Sequence, residues 1–139
     1  MPRKVLVEVI DRARADLLPR RMSPRSPWFA VRAAESTELV ATRSTLVHTG
    51  LKASIPTGSF LEVTISPPLQ SKGALVLNSP GTIDSDYRGE ILVPMSVIGG
   101  RQVKIRRGSI VARMRLVETV PVVFRGVHVG RSEARSGPE

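Results

Sequence analysis

The stretch Leu77-Asn78-Ser79-Pro80-Gly81-Thr82-Ile83-Asp84-Ser85-Asp86-Tyr87-Arg88-Gly89-Glu90-Ile91 decides how this chain is read. Pro80 has its φ fixed by its ring and Gly81 tolerates backbone angles closed to other residues, so the pair permits a sharp entry into a turn. Asp84, Asp86 and Tyr87 then follow within one turn's length. Read from these residues alone, the acids and tyrosine cap a tight turn, the alternative being that they face a bound molecule. A carboxylate in the second situation acts as a general base when it stands within hydrogen-bond reach of a water.

Outward from the hairpin, apolar residues recur with a period of two. Leu61, Val63 and Ile65 share one face of residues 59–66, with Glu62 and Thr64 on the other. Ile110, Ala112, Met114 and Leu116 point one way along residues 109–117, and Arg113 and Arg115 the other. Val5, Val7 and Val9 alternate with Leu6, Glu8 and Ile10. Such alternation predicts half-buried strands. Further strands are expected at 38–41, 44–48, 74–77, 90–97, 101–105 and 120–124. Pro56-Thr57-Gly58, Pro80-Gly81, Gly99-Gly100 and Arg107-Gly108 supply turns between them. Only residues 11–18 read as a helix, which Pro19 ends after about two turns. Short strands separated by frequent turns predict an all-β sandwich or barrel.

The length of 139 residues suits one domain. We expect a β domain over residues 1–125 and a flexible basic tail over 126–139, which lacks apolar anchors. Residues 19–27, basic and Pro-rich, are expected to run extended on the surface. Aromatic residues make up 4% against 41% hydrophobic overall, so the core is expected to be Val, Leu and Ile. The absence of Cys excludes disulfides and thiolate metal sites. His48 and His128 lie too far apart in the chain to suggest a metal site, and no metal-ligating residues are assigned. The opening apolar run is broken by Glu8 and Asp11, too soon for a signal peptide or membrane span. The expected setting is therefore non-membrane and not secreted.

The net charge of +9 is uneven. Residues 1–26 carry seven basic and three acidic side chains, residues 101–139 nine and three, and the middle five and six. Basic termini attract nucleic acid or an acidic protein. They equally keep an oligomer soluble, and few aromatics are interleaved with them to stack bases.

The hairpin stretch resembles the third motif of the trimeric dUTPase family. His48-Thr-Gly-Leu-Lys-Ala-Ser-Ile-Pro-Thr-Gly58 is similar to the family segment in which Thr-Gly-Leu leads to a Pro-x-Gly turn, and Arg107-Gly-Ser-Ile-Val-Ala112 to the fourth motif. The resemblance implies a dUTPase-like β-barrel or jelly roll of the β-clip type, assembled as a homotrimer. It implies a deoxyuridine pocket formed by Asn78, Gly81, Ile83, Asp84 and Tyr87. In it Asp84 activates water and bonds the sugar 3′-hydroxyl, and Tyr87 lies against the deoxyribose and excludes a 2′-hydroxyl. It further implies Mg2+ on the phosphates if the protein is active, and a cytoplasmic or virion-associated setting.

Other motifs depart from the family pattern. The first normally ends in a small residue, Gly, an aromatic and Asp, where this chain has Pro27, Trp28, Phe29 and Ala30. The second normally reads Pro-Arg-Ser-Ser, where this chain has Ile65, Ser66, Pro67 and Pro68. Arg113 stands for the phosphate-binding Gln of the fourth motif and is the one candidate phosphate contact. The tail at Ser132–Glu139 resembles the run-up to the Gly-rich fifth motif without its aromatic. The groups that would hold triphosphate and metal are thus lost while the hairpin is kept. The sequence predicts a catalytically impaired trimeric module with a structural or interaction role, virus- or phage-related. The alternative is an active dUTP diphosphatase that makes dUMP and pyrophosphate with Asp84 as base.

Overall fold

The computed structural model describes residues 2–128. Its strands are β1 (Leu6–Val9), β2 (Phe29–Arg32), β3 (Thr37–Val40), β4 (Thr45–His48), β5 (Leu51–Ser54), β6 (Ser59–Ile65), β7 (Ala74–Val76), β8 (Gly81–Ile83), β9 (Leu92–Val97), β10 (Gln102–Ile105) and β11 (Ile110–Glu118). Every pairing is antiparallel, in sheets of order β2-β11-β6-β8, β4-β9-β7, β1-β5 and β10-β3. This is the all-β architecture that the period-two patterns predict.

Alternation sets the faces of the largest sheet. On β6, Leu61 and Val63 are buried and Glu62 and Thr64 lie on the opposite side. On β11, Ala112 and Met114 are buried, and a register shift between Ile110 and Ala112 turns Val111 inward as well. Leu17, Val31, Leu39, Val47, Leu51, Ile91, Met95 and Val111 are fully enclosed. None is aromatic, so the core is built from branched aliphatic chains and Met, as expected.

Four expectations differ from what forms. Residues 11–18 make only a 3-10 turn at Ala15–Leu17. Asp11 accepts the Ala13 N–H on its side chain at 3.0 Å and the Arg14 N–H on its carbonyl at 2.8 Å, a local turn that competes with a helix. Arg14 then grips Asp16 at 2.9 and 3.0 Å and donates to the Ala34 carbonyl at 2.7 Å. The Arg14 hydrogen bond holds the Asp16 carboxyl below the usual carboxylate range.

The α-helix found among the described residues is instead α1 (Pro67–Ser71). Proline suits the first helical positions, where the N–H has no intrahelical partner and φ is already helical. Residues 19–27 lie on the surface, as expected, but are not extended throughout, because they double back along β2. The Met22 N–H donates to the Trp28 carbonyl at 2.9 Å and the Ala30 N–H to the Arg20 carbonyl at 2.8 Å. Residues 120–124 are not a strand within this chain, because no neighbouring strand completes their backbone hydrogen bonds. Val120, Val122, Val123 and Phe124 are exposed, Phe124 at 97%. Of the expected tail, 129–139 lie outside the described residues.

Candidate nucleoside site

The Pro80-Gly81 entry, with a cis Ser79–Pro80 peptide, delivers the chain into β8, which pairs with β6 as Gly81↔Val63, Thr82↔Glu62 and Ile83↔Leu61. Gly81 is buried, and a Cβ there would stand 3.4 Å from both the Val63 carbonyl oxygen and Asn78 Oδ1. Close approach of strand and turn explains the glycine. Beyond Ile83 the chain reverses, with the Tyr87 N–H donating to the Asp84 carbonyl at 3.1 Å. The Arg88 guanidinium braces the turn from within, donating to the Ser85 carbonyl at 2.6 Å.

Two hollows flank this turn and share Asp84. One, about 170 Å3, is lined by Thr82, Ile83, Asp84, Tyr87 and Leu92. The other, about 360 Å3, is lined by Gly58, Ser59, Phe60, Asp84, Ser85, Asp86 and Thr119. The Asp84 side chain is exposed on their common rim. Of the five residues assigned to the nucleoside, Ile83, Asp84 and Tyr87 line the smaller hollow, while Asn78 and Gly81 sit at the entry to β8 and line neither. The smaller hollow falls below the roughly 300 Å3 of an ordinary ligand pocket, and the larger one lies just above it.

Tyr87 is held by a feature that sequence reading passes over. Its hydroxyl donates to the Glu90 carbonyl at 2.5 Å, and its ring lies over Gly89. The Glu90 carboxylate reaches the other way. Oε2 accepts the Gly50 N–H at 3.0 Å, and Oε1 stands 3.0 Å from His48 Nδ1. Glu35 lies on the far side of that imidazole, 4.0 Å from Nε2. Buried Thr49 completes the seam, its hydroxyl donating to the Ile91 carbonyl at 2.7 Å and accepting the Leu51 N–H at 3.2 Å. The hairpin exit is thereby stitched to the β4–β5 turn. A Cβ at Gly89 would stand 2.8 Å from the Tyr87 hydroxyl oxygen. Gly89→Ala is expected to displace the ring and lower the preference for dUMP over UMP roughly tenfold, about the value of one good hydrogen bond. Parallel titrations with the two nucleotides check this.

Arg113 is not brought to the hairpin within one chain. It pairs across the sheet with Thr64, donating Nε–H to Thr64 Oγ1 at 3.2 Å, whereas Ile83 sits opposite Leu61. Asp84 and Arg113 are thus about 13 Å apart along β6 from strand rise alone, and an intervening strand separates them as well. The Arg113 and Arg115 guanidiniums both stack on Trp28, at 4.4 and 5.1 Å from its ring. Arg115 also pairs with Glu62 at 2.9 Å. The signal for this stack is present in the sequence as two alternate arginines, but only the cross-strand register places Trp28 beside them. Ala30, buried beside Arg113 in that register, offers no carboxylate, and Ser66 is buried with no partner for its hydroxyl. Pro67 and Pro68 open α1 without backbone donors.

The dUTPase family profile matches residues 15–136. The chain belongs to the dUTPase family. The deoxyuridine 5′-triphosphate nucleotidohydrolase of Anaplasma marginale (strain St. Maries) is 39% identical over 120 residues, covering 80% of this chain and 78% of the relative. That of Neorickettsia sennetsu (strain ATCC VR-367 / Miyayama) is 34% identical over 124 residues, covering 86% and 83%. The dUTPase of Streptococcus mutans superimposes with a TM-score of 0.77 at 28% identity, over 85% of this chain and 98% of that one. A dUTPase from phage phi11 of S. aureus gives 0.80 at 15% identity, over 93% and 99%, a likeness of fold. The strands described above are therefore the dUTPase jelly roll, and the resemblance of residues 77–91 to the family hairpin pointed to it.

That phage structure coordinates a structural Mg(II) ion. The residues present here do not form a cage for one. Among the described residues no three His, Asp or Glu side chains converge, and Ala30 stands where the family pattern has an acid.

Proposed function

We propose that the hairpin takes the deoxyuridine end of dUTP and that the assembled protein hydrolyses dUTP to dUMP and pyrophosphate. The observation that carries this is the placement of Asp84, exposed on the rim shared by two hollows with Tyr87 pinned beside it. In this reading the Asp84 carboxylate accepts a proton from the attacking water, and the Tyr87 ring, fixed by its hydroxyl, leaves no room for a 2′-hydroxyl. Backbone groups around Gly81 meet the uracil edge. The family relationship to named nucleotidohydrolases supports the same reaction. The phosphate end is gripped less well, since Ala30, Ser66, Pro67 and Pro68 replace the usual acid, arginine and serines. Turnover is accordingly slow, because positioning and charge stabilisation supply most of the rate in phosphate chemistry.

The reading includes a homotrimer. One chain holds its hairpin acid and its Arg113 end at opposite ends of β6, so a complete site draws on more than one copy. The exposed run Val120, Val122, Val123 and Phe124 supplies an arm, and an apolar groove of about 490 Å3 lined by Val5, Leu18, Phe29, Leu61, Met114 and Leu116 accepts it on a neighbour. We place the protein in a cytoplasmic or virion-associated setting, which the lack of Cys suits. Among the described residues no helix is long and apolar enough to cross a membrane.

The four replaced phosphate-end positions favour a second reading, in which the same pocket serves a non-catalytic structural or interaction module. Pyrophosphate release from dUTP with magnesium present, together with calorimetric titration by dUMP and dUTP, separates the two. Turnover abolished by loss of Asp84 supports the enzyme. Binding of dUMP with no gain for dUTP and no turnover supports the module. No binding of dUMP removes the pocket from both.

A further inference from the structure

On another sheet from the hairpin, Lys72, Arg101, Gln102, Val103, Lys104 and Arg106 line an open cleft of about 640 Å3. Four of the six are cations and none is acidic. All four are exposed, and among the described residues none is within ion-pair distance of a carboxylate. Glu38, which lies opposite Lys104 in the β3–β10 register, does not pair with it. Two of the N-terminal cations differ, since Arg3 is bonded to Glu118 at 3.0 Å and Arg14 to Asp16 at 2.9 Å.

Local structure builds the cleft. Gln102 and Lys104 leave the same face of β10, an edge strand paired with β3 alone, and Arg106 follows immediately after its last residue. Lys72 caps α1. Arg101 reaches across to it because the next residue, Gly73, has no side chain. A Cβ there would stand 3.2 Å from both Arg101 Cδ and Nη1. The Ile98 N–H bonded to the Gly73 carbonyl at 3.0 Å holds the two loops together. Four cations without an ion-pair partner are therefore kept side by side, with Glu38 the one acid opposite them in the β3–β10 register, at an electrostatic cost that a polyanion relieves.

We propose that this cleft binds the phosphate backbone of a nucleic acid. The cations gathered at this edge strand fit a regularly charged polymer. No aromatic side chain lines the cleft to stack a base, so recognition is by phosphates and indifferent to sequence. Four phosphate contacts release counterions with a salt slope of roughly −3 to −4. The cleft shares no lining residue with the hairpin hollows, so nucleotide at the hairpin does not displace the polymer.

The test is fluorescence anisotropy of short fluorescein-labelled oligo-deoxythymidine and of a mixed-sequence duplex, with the full chain, between about 50 and 200 mM salt. Binding is expected to both, unchanged by saturating dUMP. Lys104→Glu with Arg106→Glu is expected to weaken it at least tenfold and reduce the salt slope by about two. Lys72→Gln with Arg101→Gln, on different loops, gives a smaller loss in the same direction should the first pair disturb β10. Lys4→Glu with Arg12→Glu makes the same charge change at the exposed N-terminus and is expected to have less than a third of the effect. The proposal is overturned by equal loss in that control, by competition from dUMP, by absence of binding, or by a poly-glutamate peptide binding where the oligonucleotides do not.

Discussion

Replacing Asp84 by Asn is expected to cut pyrophosphate release from dUTP by roughly 100- to 10,000-fold, the range that a positioned general base contributes. The side chain is exposed and makes no hydrogen bond that holds the hairpin, whose turn rests on the Tyr87 N–H and the Arg88 guanidinium. The amide should therefore leave the fold intact, and dUMP affinity should change by no more than the single bond to the sugar. A continuous pyrophosphate assay beside calorimetry reads both quantities. An unchanged rate would remove Asp84 from the chemistry, and a lost fold would show in circular dichroism rather than in the rate alone.

Val123→Asp combined with Phe124→Asp is expected to convert the proposed trimer into monomers. At about 1.5–3 kcal/mol for each apolar side chain taken out of water, losing two is worth about 3–6 kcal/mol per chain. That corresponds to roughly 100- to 20,000-fold in association constant. Buried carboxylates would add further cost. Neither residue contacts the core of its own chain, and both are among its most exposed apolar groups, so the monomer should remain folded. Sedimentation velocity gives the mass, and dUMP titration should show binding falling with it because the half-site of one chain is left open. A variant that stays trimeric with full affinity would show that the arm is not what joins the copies.

The fold was legible where the code is local. The alternation on β6 and β11 is carried by adjacent residues, and Leu61, Val63, Ala112 and Met114 turned inward as that pattern requires. The hairpin was legible because its turn chemistry, Pro80-Gly81 and then Asp84 to Tyr87, lies within one stretch. What was not legible depends on partners distant in sequence. The Trp28 stack needs β2 and β11 in register, and register is not written in either strand alone. The clasp on Tyr87 needs Glu90 to meet Gly50 and His48, some forty residues back. Residues 11–18 carried a helical composition, but Asp11 closes a competing turn first. Pro67 and Pro68 stand out in the sequence only as departures from the second motif, although their fixed φ is what starts α1. Residues 120–124 have strand composition and no strand to pair with inside the chain.

β6 has a consequence for how substitutions behave. It runs from the neighbourhood of the Asp84 turn at Ser59 and Phe60 to the Ser66 corner, and it is hydrogen-bonded on both sides. In the proposed homotrimer the two ends of this strut belong to different nucleotide sites. A change in its middle, at Glu62 or Thr64, tilts the acid of one site and the arginine of the next together. Defects on β6 are therefore pleiotropic in a way that defects on the hairpin are not. On that proposal a single damaged copy in a mixed assembly spoils two sites, although the strand's outer face is only half exposed.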